Sequence, residues 1–392
     1  MSNLNEEALR LHRERQGKIE VIGTLPLNNG NDLAIAYTPG VAGPCMEIAR
    51  DKNNAYQYTM KGKTIAILTN GTAVLGLGNI GPEAGLPVIE GKALLLKTFG
   101  NVDAMPICLN TTDPDEIIRT IKTIAPGFGG IHLEDIKAPE CFYIEDQLKE
   151  ELDIPVYHDD QHGTAIAVLA GLYNALKITD KKIEEAEILI NGAGASGIAV
   201  AKLLTVAGAK NIVLCDLKGA IVEGDLSINE PQQKIAKTTN RSLEKGELRD
   251  LIKGKDVFIG VSTGNVLDRE MVSTMNKDSI VFALANPQPE ILPREAKAAG
   301  ARITATGRSD FPNQINNVLV FPGIFKGALK VRAKDICDEM KIAAAKAIAE
   351  LISKEELNEN YIVPNVFDKR VSDAVAGAVM SIAREIGLAR AI

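Results

Sequence analysis

Short apolar runs alternate with longer amphipathic segments through the first half of the chain, and this alternation predicts a β-α-β-α order. The strand-like runs lie at residues 64–69, 104–109, 130–133 and 154–157, and helices are predicted at 89–99, 113–124 and 140–152. The second helix has a typical start, with Asp113 as N-cap and Pro114 at the first position. Strands joined through helices predict a parallel sheet covered on both faces.

The alternation of strands and helices resumes after a long apolar helix predicted at residues 164–176. Further strands are predicted at 187–191, 211–215, 256–260, 279–284 and 302–305, with a helix at 196–207 and Ala-rich or amphipathic C-terminal helices at 340–351 and 371–386. The charged segment 181–187 has no strong hydrophobic periodicity and is a candidate boundary between two domains. The pattern therefore predicts an α/β protein with two domains and helical N- and C-terminal segments.

Composition narrows the class of protein. A chain of 392 residues is long enough for two domains. Hydrophobic residues make up 45% of it and charged residues 24%, which is an ordinary composition for a globular protein. A net charge of −7 argues against a nucleic-acid partner or a membrane surface, and no apolar run has the length of a membrane span. The N-terminus is polar. The chain contains five cysteines, an odd number, and they are scattered along the sequence. We therefore expect reduced thiols in the cytoplasm.

A glycine loop follows the strand predicted at 187–191. The residues are Gly192, Ala193, Gly194, Ala195, Ser196 and Gly197, a G-x-G-x-x-G that opens a helix-like run. The next strand ends in Asp216, 19 residues after Gly197, where a carboxylate could accept a ribose hydroxyl. This context predicts dinucleotide binding, the alternative being a helix-packing glycine turn without a ligand.

Two other segments match nucleotide motifs less well. Residues 76–81 repeat the glycine spacing, but Pro82, Gly85 and Pro87 follow, so we expect no helix to begin there and assign this loop to the substrate side. Residues 85–92 faintly resemble a P-loop, with a spacing one residue too long and Ala93 in place of the Mg²⁺-binding Ser or Thr. The pattern argues against nucleotide-triphosphate chemistry.

Two pairs of neighbouring acids follow consecutive predicted strands. Glu134 and Asp135 end one strand-like run, and Asp159 and Asp160 follow the next. Because the ends of adjacent parallel strands converge on one edge, these carboxylates could bind Mg²⁺ or Mn²⁺, which prefer oxygen ligands. The alternative is that the acids cap the following helices or pair with Lys and Arg.

The histidines give a weaker metal signal. His158 and His162 are four apart, as in a zincin helix, but Asp-Asp-Gln stands between them instead of Glu-x-x. The pair also straddles a predicted strand end and helix start, so the rings need not share a face. We interpret both, and His132, as polar histidines near a site or surface.

Together these segments resemble the malic enzymes, in particular the short bacterial type. The resemblance covers nearly the whole chain and rests on motifs in a fixed order. They are 36–42 (AYTPGVA), 75–81 (LGLGNIG), 90–92 (EGK), 132–136 (HLEDI), 158–164 (HDDQHGT), 192–197 (GAGASG), 285–287 (ANP) and 306–317 (TGRSDFPNQINN). The order of all eight is far more specific than any one of them.

The resemblance implies oxidation and decarboxylation of L-malate to pyruvate and CO2, with NAD or NADP and Mg²⁺ or Mn²⁺. By motif, Tyr37 matches the family's general acid, Lys92 its general base, and Asp159 an acid that supports the lysine. A lysine titrates near 10.4 in water, so burial and nearby metal charge would have to lower the pKa of Lys92. The ordinary alternatives are a salt-bridged helix lysine and, for Tyr37, a loop aromatic.

The same resemblance implies the ligand contacts. The metal ligands would be Glu134, Asp135 and Asp160. Asn286 and Asn317 match amides that hold the substrate carboxylate, with Asn286 also near the nicotinamide. Longer family members carry a substrate-clamping arginine where this chain has Ala73, so other groups must clamp the substrate here.

The family layout implies a substrate and metal domain from 1–160, onto which the helical tail 317–392 packs. A Rossmann-type nucleotide domain would occupy 161–316, with the active site in the shared cleft. A homodimer is also implied. Two other functions stay open at this point: a metal-independent amino-acid or hydroxy-acid dehydrogenase, which leaves the acidic pairs unexplained, and a non-catalytic dinucleotide-binding protein.

Overall fold

The computed structural model describes residues 2–74 and 76–391. Leu75, the first residue of the LGLGNIG motif, lies outside the described residues. Within them no helix is both long and apolar enough to cross a bilayer. All five cysteines are free.

Ten strands of the described residues form two sheets. The first sheet contains β1 (Thr64–Thr69), β2 (Asp103–Cys108), β3 (Gly130–Leu133) and β4 (Val156–His158), all parallel, in the order β2-β1-β3-β4. The second contains β5 (Glu187–Asn191), β6 (Asn211–Asp216), β7 (Gly219–Ala220), β8 (Val257–Gly260), β9 (Ile280–Ala283) and β10 (Ile303–Thr306), in the order β10-β9-β8-β5-β6-β7. The short β7 is antiparallel to β6, and the other pairs are parallel. The predicted α/β class with parallel sheets is confirmed.

Helices cover and connect the two sheets. They are α1 (Ser2–Arg15), α2 (Gly30–Ala36), α3 (Ala42–Arg50), α4 (Ala55–Tyr58), α5 (Pro82–Leu95), α6 (Pro114–Ile124), α7 (Glu140–Glu151), α8 (Asp159–Thr179), α9 (Ala195–Val206), α10 (Glu230–Ala236), α11 (Leu248–Leu251), α12 (Arg269–Ser273), α13 (Pro293–Ala298), α14 (Phe321–Lys330), α15 (Asp338–Glu350) and α16 (Arg370–Glu385). As predicted, Asp113 caps α6, where its carboxylate accepts backbone N–H groups of the first turn.

The core is continuous between the sheets. Strand β1 is buried along its whole length, as expected of a central parallel strand covered on both faces. The long helix α8 leaves the first sheet and packs against α9 and α15. The C-terminal helices return to the first sheet, where the ring of Phe325 in α14 stacks 5.7 Å from that of His132 in β3. Apolar residues of both sheets consequently belong to one buried cluster.

The start of α5 corrects one expectation. This helix begins at Pro82, directly after the 76–81 loop, although the prolines predict that no helix begins there. Pro82 occupies the first position, whose N–H has no helical partner in any case. Pro87 does remove an internal hydrogen bond. Gly85 lets the helix approach the sheet closely, since a Cβ there would lie 3.2 Å from Thr69 Cγ2. Packing against β1 therefore outweighs the local cost of the proline.

The start of α8 also differs from its prediction at residue 164. The helix begins at Asp159, directly after β4, so Asp159 and Asp160 occupy its first turn. Acidic side chains are favourable there because the unpaired N–H groups give a helix N-terminus positive character. Two acids that look like loop residues in the sequence are thus held on a rigid element.

Candidate active site

A cleft of about 650 Å³ lies between the two sheets, beside the segments that follow β3, β4, β5, β8, β9 and β10. The carboxyl ends of parallel strands are where α/β folds bind ligands. The residues of the cleft wall discussed below are Ala73, Gly76, Lys92, Glu134, Asp135, Lys137, Asp160, Gly194, Ala195, Ser196, Asn286 and Asn317. The structure therefore brings most of the predicted site residues into one cavity.

Three acids converge in this cleft. Glu134 and Asp135 follow β3, and Asp160 follows β4, which pairs in parallel with β3. Ligand atoms of the three side chains lie within 4.8 Å of one another. The backbone N–H of Asp135 also donates to Asp160 Oδ2 at 2.8 Å, which fixes the two segments together. We call these three residues the carboxylate trio.

The trio suits a divalent cation. Burial raises the pKa of Glu134 to about 7, and burial with repulsion from Glu134 and Asp160 raises the pKa of Asp135 to about 8. Asp135 Oδ2 is buried without a hydrogen-bond partner. The backbone at Asp135 has a φ of 55°, and its carbonyl accepts the N–H groups of Thr72 and Ala73 at 3.1 and 3.0 Å. Oxygen donors with excess buried negative charge are the donor set that Mg²⁺ or Mn²⁺ prefers.

Lys92 projects from α5 toward the trio and is 9% exposed. Its Nζ forms an ion pair with Asp159 Oδ2 and lies 3.2 Å from Glu134 Oε1. The ring of Phe321 lies beneath the ammonium, 4.7 Å from Nζ to the ring centroid. Asp159 itself is fully buried behind the lysine and does not line the cleft.

The pKa of Lys92 departs from the sequence expectation. Burial favours the neutral amine and lowers the pKa, as expected, but the carboxylates of Asp159 and Glu134 outweigh burial and raise it. The sequence could not show that two carboxylates contact the ammonium directly. In this arrangement Lys92 is a cation, and it offsets part of the negative charge of the trio.

Two buried histidines flank the trio, and sequence reasoning missed their function. His132 Nε2 lies 2.7 Å from Glu134 Oε2, and His158 Nε2 lies 3.0 Å from Asp160 Oδ2. Each histidine lies in the last two residues of a strand and precedes its acid by two residues. Burial lowers the pKa of His132 to about 3, so its ring is neutral. The repeated His-x-acid spacing is the signal that could have identified both.

The zincin-like spacing does not form a shared site. His162 Nε2 lies 2.7 Å from Glu145 Oε1, away from the oxygen that His158 contacts. Gln161 connects the two groups, because its Nε2 donates to Glu145 Oε2 at 2.8 Å and lies 3.1 Å from His158 Nδ1. The interpretation of these histidines as polar residues near a site agrees with this geometry.

The glycine loop forms a tight turn between β5 and α9. Gly192 has a φ of 120°, and a Cβ there would lie 2.8 Å from the carbonyl oxygen of Val261. A Cβ at Gly197 would lie 1.7 Å from the carbonyl oxygen of Gly192, so both positions require glycine. Gly194, the N-cap of α9, has open space beside it and lines the cleft. The strand, turn and helix have the geometry in which backbone N–H groups bind a pyrophosphate.

The remaining loop residues point in different directions. Ala195 and Ser196 line the cleft, whereas the carbonyl of Ala193 accepts a hydrogen bond from Gln232 Nε2 at 3.2 Å. Asp216 ends β6, as the sequence predicts, and its Oδ1 accepts the backbone N–H of Lys218 at 2.8 Å. The predicted position for a ribose contact, at the strand end after the glycine helix, therefore exists.

Direct contacts join the walls of the cleft. Ser196 Oγ donates to the backbone carbonyl of Asp160 at 2.8 Å, which ties the glycine loop to the trio. On the opposite side, a Cβ at Gly76 would lie 2.8 Å from the carbonyl oxygen of Asn286. Asn286 and Asn317 both line the cleft. Gly76 of the 76–81 loop thus belongs to the cleft wall, and the assignment of this loop to the substrate side stays a prediction.

Glu290 is a further residue that sequence reasoning missed. Its buried carboxylate accepts the backbone N–H groups of Ser262 and Ala285, each at 3.0 Å, and so joins the loops after β8 and β9. Both loops carry residues of the cleft wall. A single acid in a loop gives no sequence signal for this contact.

Tyr37 is the predicted catalytic residue that the structure leaves outside the cleft. It follows α2, its side chain is 66% exposed, and it does not belong to the cleft wall. Among the described residues no tyrosine lines the cleft. Within one copy of the chain, therefore, the proposed base and the proposed acid are not brought together.

Two family models match the chain. One, described as the malic enzyme N-terminal domain, matches residues 16–149, and the other, described as the malic enzyme NAD binding domain, matches residues 161–384. Together they span most of the chain. The gap between them includes β4 and the first residues of α8.

Known proteins resemble the chain over nearly its full length. A bifunctional malic/malolactic enzyme from Bacillus subtilis (strain 168) is 57% identical over 99% of this chain and 95% of its own. An NAD-dependent malic enzyme from Geobacillus stearothermophilus is 56% identical over 95% of this chain and 78% of its own. The crystal structure of malic enzyme from Pyrococcus horikoshii Ot3 superposes with a TM-score of 0.95 at 50% identity, covering 99% and 92% of the two chains.

The histidines that flank the trio generate a prediction about metal affinity. His132→Leu or His158→Leu should each weaken Mn²⁺ binding by about 10- to 100-fold, because the orienting partner of one carboxylate is lost. Titration calorimetry of Mn²⁺ into the protein without substrate measures this directly. The Gln variants, which restore an N–H near the position of Nε2, should recover part of the affinity.

The matched control is His162→Leu, which removes a largely buried histidine bonded to Glu145 instead of to the trio. Its Mn²⁺ affinity should stay near that of the wild type, with folding checked by circular dichroism. Equal losses of affinity in all three Leu variants would show that His132 and His158 have no specific function at the metal site.

Proposed function

Because the chain belongs to the malic enzyme family, it oxidises and decarboxylates L-malate to pyruvate and CO2 with NAD(P)⁺, and we propose that the cleft between its two sheets performs this reaction. The assignment confirms the resemblance that the ordered motifs predict. The observation that carries the proposal is the position of Lys92 against the carboxylate trio in the cleft that the glycine loop also lines.

The trio would hold the metal. Glu134 and Asp135 offer buried oxygen ligands and Asp160 a partly exposed one, and the partnerless Asp135 Oδ2 is free to coordinate. A bound divalent ion would supply positive charge beside Lys92 and Lewis acidity toward the substrate oxygens, and a bound nicotinamide would accept the hydride.

Lys92 is the proposed base. In its neutral form it takes the proton of the malate hydroxyl, and Asp159 holds the amine in position through the contact at Nζ. Loss of hydride and then of CO2 leaves the bonding electrons of the departing carboxylate on the neighbouring carbon. Tyr37 protonates that carbon, and the proton held by Lys92 returns to the tyrosinate, so no net proton is gained or lost.

The substrate needs a further cation, since Ala73 stands where longer relatives have an arginine. Lys137 follows β3 and lines the same cleft as the trio, and its Nζ lies 3.1 Å from Oε1 of the partly buried Glu140. Lys92 is already occupied by two carboxylates. We therefore assign Lys137 to one malate carboxylate, beside the amides of Asn286 and Asn317.

The nucleotide would bind at the glycine loop, with its pyrophosphate at the N-terminus of α9 and Asn286 near the nicotinamide. Asp216 suits a free ribose hydroxyl, while Lys218 could meet a 2′-phosphate. Relatives include both NAD-dependent and NADP-dependent malic enzymes, the latter at 47% identity from Escherichia coli. Steady-state kinetics with each cofactor decides the preference.

The domain layout follows from the same proposal. Residues 1–160 with the tail 317–392 would form the substrate and metal domain, and 161–316 the nucleotide domain. The packing of α14 against β3 supports the return of the tail. We also propose a homodimer, and a cytoplasmic location in which the five free cysteines stay reduced.

Replacing the base tests the assignment of Lys92. Lys92→Ala should lower kcat by about 10²- to 10⁴-fold, the usual contribution of a general base, and leave the NAD(P)⁺ dissociation constant near that of the wild type. Initial rates of malate-dependent NAD(P)H formation and fluorescence titration of the cofactor measure the two quantities. Lys97→Ala, on the exposed turn that follows α5, is the control. A Lys92→Ala enzyme with most of its rate would refute the assignment.

Metal removal tests the carboxylate trio. Dialysis against EDTA should abolish malate-dependent NAD(P)H formation, and Mn²⁺ should restore it. Mn²⁺ should also raise the Tm of the substrate-free protein, because an ion that binds only the folded state stabilises it. Asp135→Asn should lose much of this rise in Tm. Full turnover in the EDTA-treated enzyme would favour a metal-independent dehydrogenase.

A neutral replacement tests Lys137. Lys137→Met should raise the KM for malate by about 10-fold or more with a smaller change in kcat, since a charge-assisted hydrogen bond contributes about 1.5–3 kcal/mol. Lys122→Met, on the exposed surface of α6, provides a matched control. An unchanged KM in Lys137→Met would assign substrate binding to the amides alone.

A further inference from the structure

A line of buried polar contacts leads from the carboxylate trio to α7. His158 Nε2 lies 3.0 Å from Asp160 Oδ2, and Nδ1 of the same ring lies 3.1 Å from Gln161 Nε2. Gln161 Nε2 in turn donates to Glu145 Oε2 at 2.8 Å. His158 has no exposed surface, and Gln161 and Glu145 are each 3% exposed. We call Glu145, Gln161 and His158 the bracing network.

The two outer members of the bracing network lie away from the catalytic cleft. Glu145 and Gln161 line a separate cavity of about 160 Å³ and do not belong to the wall of the larger cleft. In the described structure, the hydrogen bonds and ion pairs of their side chains include none to the trio. A direct polar influence of these two side chains on the trio must therefore pass through His158.

Glu145 determines the orientation of Gln161. Burial by itself would raise the pKa of Glu145, but His162 and Lys149 outweigh burial and hold this pKa well below its usual value. Glu145 is therefore ionised, and an ionised carboxylate is only an acceptor. Gln161 must consequently turn its NH2 group toward Glu145, because its carbonyl oxygen would be repelled there.

The orientation of Gln161 selects the tautomer of His158. The amide nitrogen has two N–H groups, of which one is donated to Glu145 and the other faces Nδ1. A ring nitrogen that faces an N–H group is an acceptor, so the ring proton belongs on Nε2, beside Asp160. Burial lowers the pKa of His158, but the carboxylate of Asp160 raises it well above its usual value. Gln161 and Asp160 thus agree in favouring a proton on Nε2.

We propose that Glu145 and Gln161 are positioning residues for the metal site, which act by holding the ring of His158 with its Nε2–H toward Asp160. The proposal rests on the proposed binding of a divalent cation by the trio. A ring with the opposite tautomer would present a lone pair to Asp160 Oδ2 and repel it. Partners that orient a metal ligand in this way contribute to metal affinity. Through two intervening side chains, Glu145 on α7 thereby influences the geometry of the trio.

NMR of protein with isotopically labelled histidine nitrogens tests the tautomer. The chain has four histidines, so the spectrum is simple, and the His158→Leu variant identifies the signals of His158. In the Mg²⁺-saturated protein, Nε2 of His158 should be protonated and Nδ1 unprotonated. Gln161→Met keeps the length of the side chain but removes the N–H donor, so the signals should shift toward a mixture of tautomers. A wild-type His158 with a proton on Nδ1 would overturn the proposal.

Mn²⁺ affinity measures the consequence for the site. In titration calorimetry without substrate, Gln161→Met should weaken Mn²⁺ binding by about 10-fold, the lower end of the range for partners of metal ligands. Glu145→Leu frees the amide of Gln161 to turn and should cause a loss in the same range. Lys341→Met is the matched control, because Lys341 lines the same cavity, is 5% exposed and bonds to Asp338. Its Mn²⁺ affinity should stay near that of the wild type, with the folding of each variant checked by thermal unfolding.

A double variant distinguishes positioning from a general loss of packing. If Gln161 acts through His158, Gln161→Met should have no further effect on Mn²⁺ affinity in a protein that already carries His158→Leu. Additive losses would show that Gln161 supports the site by packing alone and would overturn the proposal.

The outcomes also separate this proposal from the proposed function. A wild-type protein that does not bind Mn²⁺ would refute the metal site itself, and the bracing function with it. Normal binding by the wild type with an unchanged affinity in Gln161→Met would refute the bracing function and leave the metal site in place.

Discussion

Buried negative charge at the ends of β3 and β4 is the constraint on which the rest of this structure depends. The trio of Glu134, Asp135 and Asp160 lies where water is largely excluded, and carboxylates in such a place are costly unless cations or N–H donors compensate them. Lys92 supplies one positive charge, and the two flanking histidines supply ring nitrogens. These groups compensate the negative charge of the trio only in part, which is why the pKa values of Glu134 and Asp135 are raised. A divalent cation would complete the compensation, so the same repulsion that destabilises the fold would create the affinity of the site.

The position of the trio follows from the parallel sheets. Parallel pairing places the ends of β3 and β4 side by side, and α8 begins at once, so Asp159 and Asp160 belong to a rigid first turn. The second sheet ends against the same cleft, and Ser196 bonds the glycine loop to the backbone of Asp160. Hydride transfer requires the substrate carbon and the nicotinamide in close and fixed orientation. The ends of two sets of strands form the cleft, and the hydrogen bond of Ser196 joins its two sides. Such a cleft would hold the substrate carbon and the nicotinamide in a fixed orientation.

The N-terminal segment that carries Tyr37 has the opposite character, and this difference has a physical reason. The trio, Lys92 and the glycine loop are fixed by the core of one subunit, where burial determines each side chain. Tyr37 belongs to residues 19–52, none of which is buried, so no core fixes its side chain. Within one copy of the chain, Tyr37 therefore stays outside the cleft.

The sequence by itself determined the class of fold, most of the strands and the family. Strands 64–69, 130–133 and 187–191 were predictable to the residue because a buried parallel strand is a short continuous apolar run, and the ordered motifs identified the family. Only the tertiary structure decided where α5 and α8 begin, because packing on the sheet overrides the local preference of Pro87 and because α8 follows β4 without a loop. Only the tertiary structure, likewise, showed that carboxylates raise the pKa of Lys92, that His132 and His158 brace the trio, and that Tyr37 lies outside its own cleft. Apart from the His-x-acid spacing, distances between residues far apart in the chain decide these properties, and no local pattern predicts them.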